Sequence, residues 1–183
     1  MLIKIIFAGS GGQGVLTMGN ILGNAAMCED FNVTFLPSYG AEVRGGTANC
    51  TITVSDEEIA SPVASSPDII VVMNQPSANT FINKVIAGGQ MIYNSNLVKS
   101  VPFRGDVDLY PVPANELADK IGSGRSINMV LLGSFMKLTN ILNYDSVIMS
   151  IENMLGSKKK LIDFSKNAIS EGYNGFPFEN DII

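Results

Sequence analysis

Four glycines, a serine and a glutamine fill the six positions Gly9–Gly14, GSGGQG, directly after the apolar run Leu2–Ala8, LIKIIFA. Gly9, Gly11 and Gly14 satisfy G-x-G-x-x-G, which between a strand and a helix is the fingerprint of a dinucleotide site. That fingerprint also requires a carboxylate about 20 residues further on, at the end of the second strand, to hold a ribose hydroxyl. Glu29 and Asp30 come before that strand, and its end reads LPSY (Leu36–Tyr39), so the ribose anchor is missing. Arg44, the nearest arginine for a 2′-phosphate, lies well into the next loop. The general physics survives: a glycine turn at a helix N-terminus offers free N–H groups and the positive end of the helix dipole to phosphate, pyrophosphate or carboxylate. Ser10, Gly12 and Gln13 complete that candidate cradle, with Gln13 able to aim its amide at a ligand or partner. A tight turn with close strand–helix packing is the other reading of the same glycines, and both stay open.

The second constellation is PSYGAEVRGGTANC, Pro37–Cys50. Glu42 and Arg44 would point to opposite faces of an extended segment, and a local salt bridge is the plainest account of them. Gly40, Gly45 and Gly46 flank the charges with positions free to take positive φ, which is how a loop is shaped to a surface.

The elements that position these loops follow from hydrophobic periodicity. Leu2–Ala8 reads as a strand, Val15–Met27 as a helix, Val33–Leu36 as a strand ended by Pro37-Ser38, and Ala48–Val54 as an alternating strand. Asp68–Met73, DIIVVM, has the continuous apolar run of a strand covered on both faces. Asn74-Gln75-Pro76 breaks it, and a helix is expected over Ser77–Ala87, followed by strands at Gln90–Tyr93 and Val107–Val112. From Ala114 the period becomes helical, with Met129–Leu138 containing a Gly133 that implies close packing on a neighbouring backbone. Asp145 is expected to cap a helix ending at Leu155, and Ser157 one over Lys158–Ile169, with Lys158–Lys160 on a solvated face. The tail GYNGFPFENDII has no period, so it drapes on the surface or docks on a partner. The pattern predicts one α/β domain over 1–183, Rossmann-like, with a mostly parallel sheet, flanking helices and a helical C-terminal part.

Composition narrows the chemistry. The 183 residues are 46% hydrophobic and 16% charged, a balance that points to a surface meeting a partner protein, and the net charge of −5 argues against nucleic acid as a partner. No run reaches the length of a membrane span, and MLIKIIFAGSGG reads as a strand rather than a signal peptide, so the expected compartment is the cytoplasm. With no histidine and only Cys28 and Cys50, the sequence offers no zinc or iron–sulfur ligand pattern, and both cysteines are read as structural. No catalytic residue and no metal ligand is expected in this chain.

Three blocks together, GSGGQG, PSYGAEVRGGTANC running into TVSDEEIASP (Thr53–Pro62), and DIIVVMNQPSA (Asp68–Ala78), resemble the gamma subunit of the 2-oxoacid:ferredoxin (acceptor) oxidoreductases, with a weaker echo at INMVLLGSF (Ile127–Phe135). These are thiamine-diphosphate enzymes that oxidise 2-oxoacids to acyl-CoA and carbon dioxide. The resemblance implies a subunit inactive alone, packed against alpha and beta chains and a delta or ferredoxin-like chain. Those partners would hold thiamine diphosphate, magnesium and the iron–sulfur clusters. Gly9–Gly14 and the Ser38–Gly46 loop are expected to form one rim of a cleft at the carboxyl ends of the strands, and the partner- or substrate-facing set Ser38, Tyr39, Glu42, Arg44, Gly45, Gly46, Asn74 and Gln75 to contact either coenzyme A or the partner chains. Pro37–Gly40 with Glu42, Arg44, Gly45 and Gly46 looks most like the 2-oxoglutarate branch, with the 2-oxoisovalerate branch next and the pyruvate branch behind. A free-standing phosphate- or nucleotide-binding α/β protein is the alternative of a different class.

Overall fold

A computed structural model of the chain describes residues 1–39, with Tyr39 as backbone only, and residues 46–175. The described residues form six strands and six helices in the order β1 (Leu2–Ser10), α1 (Val15–Cys28), β2 (Asn32–Tyr39), β3 (Thr47–Ser55), β4 (Ile69–Val72), α2 (Gln75–Phe81), β5 (Gly89–Asn94), β6 (Val107–Val112), α3 (Ala114–Lys120), α4 (Ile127–Thr139), α5 (Tyr144–Leu155) and α6 (Lys159–Asn174). One sheet takes all six strands in the spatial order β2-β3-β1-β4-β5-β6. β1, β4, β5 and β6 are parallel neighbours, while β3 runs antiparallel between β1 and β2. The α/β, mostly parallel arrangement expected from the sequence is therefore present.

β4 is buried at every position because helices cover both of its faces, as the apolar run required. On one face Ile5, Phe7, Ile52 and Val71 pack under α1 and α4, where Phe7 meets Phe135 edge-on at 5.7 Å between ring centroids. On the other, Ile6, Ile70 and Met91 pack under Phe81 and Ile82, at the end of α2 and in the 3₁₀ turn Ile82–Lys84 that follows it. α1 buries Met18, Ile21, Leu22, Ala25 and Ala26 at helical spacing against the first face.

Several boundaries differ from the sequence expectation, each for a local reason. Pro37 does not end β2: it pairs with Cys50, and Ser38 and Tyr39 continue the ladder opposite Asn49 and Ala48. β2 is an edge strand, where a missing N–H is tolerated, and Pro111 occupies the other edge strand, β6. Asn74-Gln75-Pro76 starts a helix as well as stopping a strand, because the Asn74 side chain accepts a bond from the Ser77 N–H at 3.0 Å and Pro76 needs no helical partner in the first turn. That helix gives way to a 3₁₀ turn before Val85 instead of running to Ala87. Asn143, not Asp145, precedes α5, and Asp145 lies in its first turn, where a carboxylate still favours the dipole. Lys158 replaces Ser157 at the start of α6, without a side-chain cap, and α6 runs on to Asn174, so the first part of the expected tail is helical. Residues 176–183 lie outside the described residues.

α4 and α6 cross at two glycines. A methyl group at Gly133 would fall on the Ile169 carbonyl, and one at Gly172 on the Val130 carbonyl. Ser134 occupies the same crossing and donates its hydroxyl to the carbonyls of Val130 and Gly172 at 3.2 and 3.0 Å. The close packing expected at Gly133 is thus reciprocal, since each helix supplies one glycine to the other's backbone.

The two cysteines part company. Cys50 is buried in β3 and donates weakly to the Val15 carbonyl, and burial pushes its thiol up to about 12; Cys28 is exposed at the end of α1. An alkylating reagent at mildly alkaline pH is therefore expected to label Cys28 alone in the folded chain and both thiols after unfolding, read by intact mass. Early labelling of Cys50 would show that the β3–α1 contact opens readily.

Candidate functional site

β1 lies between β3 and β4, and the connections leaving the carboxyl ends of β1 and β4 depart to opposite faces of the sheet: α1 to one, α2 to the other. That divergence opens a crevice at the carboxyl ends, the usual ligand position of an open parallel sheet. The glycine run sits there, but its first two residues belong to β1, so the turn itself is Gly11–Gly14. Gly12 and Gly14 take φ of 90° and 76°, left-handed values that glycine adopts without strain. At Gly14 a side chain would also strike Asn128 at the start of α4, whose amide donates to the Gly14 carbonyl at 3.3 Å.

Polar side chains brace this turn from within. The Gln13 side-chain oxygen accepts the Ser10 N–H at 2.7 Å and the Asn74 amide at 3.2 Å, and Asn74 also donates to the Ser10 hydroxyl at 2.8 Å. Asn74, at the end of β4, thus ties the β1 loop across the crevice. The Gln13 oxygen is turned back into the loop, contrary to an amide aimed wholly outward. Gln75 is similarly occupied: its oxygen accepts the N–H groups of Lys99 and Ser100, and its nitrogen donates to the Ser100 carbonyl and Asn79. It fastens the chain after β5 instead of lining the crevice. Gly46, just before β3, accepts the Gly11 N–H at 2.9 Å, so the two sequence constellations meet at that bond. Ser38 and Tyr39 lie in β2, and Glu42, Arg44 and Gly45, with Gly40, lie outside the described residues.

What the crevice can bind follows from its walls. A cleft of about 400 Å³ is lined by Gly12, Gln13, Gly14 and Met73 on one side and by Gly124, Arg125, Ile127 and Asn128 on the other. The size suits part of a small-molecule ligand. Both α1 and α4 begin here without a side-chain cap and without an acidic residue in the first turn. The first intrahelical bonds are Met18 to Gly14 and Val130 to Ser126, which leaves the N–H groups of the first turns outside the helical ladders. Among the described residues, two helix starts and one arginine line the cleft with no carboxylate beside them, a cradle for a phosphate or pyrophosphate. The described lining holds no carboxylate of the kind that takes the metal of a magnesium diphosphate.

Arg125 and Asn128 were not singled out by the sequence reading. Their signal is the stretch IGSGRSIN, Ile121–Asn128: a second glycine–serine turn opening a second helix, with a basic residue in place of the glutamine of the first. Among the described residues no three His, Cys, Asp or Glu side chains gather, and no helix is long and apolar enough to cross a membrane.

Comparison with known proteins gives this geometry a family. A family model described as pyruvate ferredoxin/flavodoxin oxidoreductase matches residues 4–175. The ketoisovalerate oxidoreductase subunit VorA of Methanothermobacter thermautotrophicus is 38% identical over 93% of the chain, which spans 35% of that relative's length. The 2-oxoglutarate synthase subunit KorC of Methanothermobacter marburgensis is 32% identical over 87% of this chain and 90% of its own. The gamma subunit of a keto/oxoacid ferredoxin oxidoreductase from Geobacter sulfurreducens, 22% identical, shares the fold with a TM-score of 0.80 over 93% of this chain and 96% of its own. With the family model covering nearly all of the described chain and relatives of this identity aligned along it, the chain belongs to the pyruvate ferredoxin/flavodoxin oxidoreductase family.

Proposed function

We propose that this chain is the gamma subunit of a thiamine-diphosphate-dependent 2-oxoacid:ferredoxin oxidoreductase, located in the cytoplasm, and that it supplies the enzyme with a cradle for the anionic part of coenzyme A. The observation that carries the reading is the cleft between the starts of α1 and α4, walled by Gly12–Gly14, Arg125 and Asn128 and, among the described residues, free of lining carboxylates. Thiamine diphosphate, with its magnesium and the iron–sulfur clusters of the alpha, beta and ferredoxin-like chains, supplies decarboxylation and electron transfer when bound by those partners. This chain contributes no catalytic side chain. The free N–H groups at the two helix starts and the Arg125 guanidinium hold a pyrophosphate, while the Ser10–Gln13–Asn74 bonds keep the turn in the shape that presents those groups.

The proposed reaction takes 2-oxoglutarate and coenzyme A to succinyl-CoA and carbon dioxide, with the electron pair passed to ferredoxin or another acceptor. The agreement in length with the 2-oxoglutarate synthase subunit supports this substrate. The higher identity of the ketoisovalerate relative supports 2-oxoisovalerate as the second reading.

The test is a pull-down through this chain from anaerobic native extract, with the eluate assayed for dye reduction that requires a 2-oxoacid and coenzyme A. Partner chains and activity are the expected result, and the rates with 2-oxoglutarate and 2-oxoisovalerate decide the branch. A lone chain without activity would overturn the subunit reading in favour of a free-standing anion-binding protein. Within the active complex, Arg44→Ala tells docking from ligand contact: loss of the complex on gel filtration assigns the 38–46 segment to assembly, whereas an intact complex with a raised apparent KM for coenzyme A assigns it to the ligand.

A further inference from the structure

Beside the cleft, and sharing Arg125 and Asn128 with it, lies a second concavity of about 420 Å³ with a largely apolar floor. Ile21 of α1, Ile151 and Met154 of α5, and Leu161 and Phe164 of α6 form that floor. Met154, Leu161 and Phe164 remain 42%, 48% and 36% exposed, although each square ångström of apolar surface left in water forgoes about 25 cal/mol. The α6 end of the groove is basic, while Glu152 on the α5 side is taken up by an ion pair with Lys166. The net charge is −5, yet three consecutive lysines, Lys158–Lys160, are exposed immediately before Leu161, and Asp163 is the sole carboxylate in the stretch Ser157–Ser165. Lys160 reaches back over the Phe164 ring, 6.0 Å from its centroid, which places its cation at the apolar rim.

We infer that this groove is the docking site for a segment of a partner subunit that is apolar along one face and carries carboxylates along its flank. The inference rests on the subunit reading above and goes further by assigning the face that assembles. An apolar floor alone would accept many helices; the lysine rim selects an acidic one, because complementary charge sets partner choice and speeds encounter. Met154 suits such a floor, since an unbranched thioether adapts to the shape of its guest. Continuity with the cleft has a further consequence. A segment seated here lies against Arg125, so assembly and ligand binding are coupled through that side chain.

The native complex, purified through a tag on this chain, is treated with a carbodiimide that joins amines to carboxylates in direct contact. The expected products couple Lys158, Lys159 or Lys160 to Asp or Glu residues of a different chain, and Phe164→Asp weakens binding of that chain about tenfold or more. Phe164 lies at the surface, so the variant is expected to fold with an unchanged circular dichroism spectrum, and Leu161→Glu serves as the second probe should it not. Couplings confined to carboxylates of this same chain, Glu179 and Asp181 included, overturn the proposal. So do couplings to a second copy in a mixture of isotopically light and heavy chains, or full affinity in both variants. An active complex whose lysines couple to nothing removes the docking site and leaves the subunit reading intact. A chain that purifies with no partner removes both.

Discussion

Gly172→Ala lowers the unfolding free energy by about 3 kcal/mol, and Gly133→Ala by a similar amount. In an ordinary helix interior the same change would stabilise by about 1 kcal/mol, because alanine loses less backbone freedom on folding. The sign reverses because the added methyl meets a backbone carbonyl of the facing helix, and no side chain is there to swing aside. Relief requires α4 and α6 to separate, which loosens Phe135 under the sheet and strains both bonds of the Ser134 hydroxyl. The two changes act on one crossing, so the double variant is expected to cost less than the sum of its parts. Urea midpoints measure the effect, and a midpoint unchanged or raised in either single variant would contradict the packing at this crossing.

Arg125→Gln raises the apparent KM for coenzyme A about tenfold or more and leaves kcat within a factor of about two, the pattern of a contact equally present in ground and transition states. Among the described residues, the substitution removes the one side-chain cation lining the cleft and leaves both helix starts in place. Residual affinity is therefore expected, and it should depend less on added salt than that of the parent enzyme, since one charged contact with the anion is gone. Steady-state rates at several coenzyme A concentrations, with gel filtration confirming an intact complex, make the measurement. A fall in kcat at unchanged KM would place Arg125 in the chemistry of the complex instead of in ligand binding.

Much of this architecture is legible in the sequence because single residues announce it. An unbroken run such as Ile69–Val72 can only be covered on both faces, and a glycine turn between Leu2–Ala8 and an amphipathic stretch can only be a strand-to-helix connection at a ligand-bearing edge. Gly133 was legible for the same reason, as a helical position with no side chain to pack. Its counterpart Gly172 was not, since reading it required knowing that α6 reached Asn174 and which helix it crossed. Pro37 misleads because its tolerance depends on β2 being an edge, a property of strand order and not of the local residues. Asn74 looks like a strand breaker because one asparagine can end one element and cap the next. Arg125 stayed hidden because the first glycine loop claims attention, while the second, distant in sequence, becomes its neighbour only through the sheet and the Asn128–Gly14 bond.

The prolines in the two outermost strands bear on the life of the chain before assembly. A subunit made ahead of its partners exposes apolar helix surface, and an unfinished sheet edge beside it would offer neighbouring copies a ladder on which to stack. Pro37 and Pro111 each remove a rung from that ladder at opposite ends of the sheet. With those rungs missing, both edges are poorer templates for strand pairing with a second copy during the interval before a partner arrives.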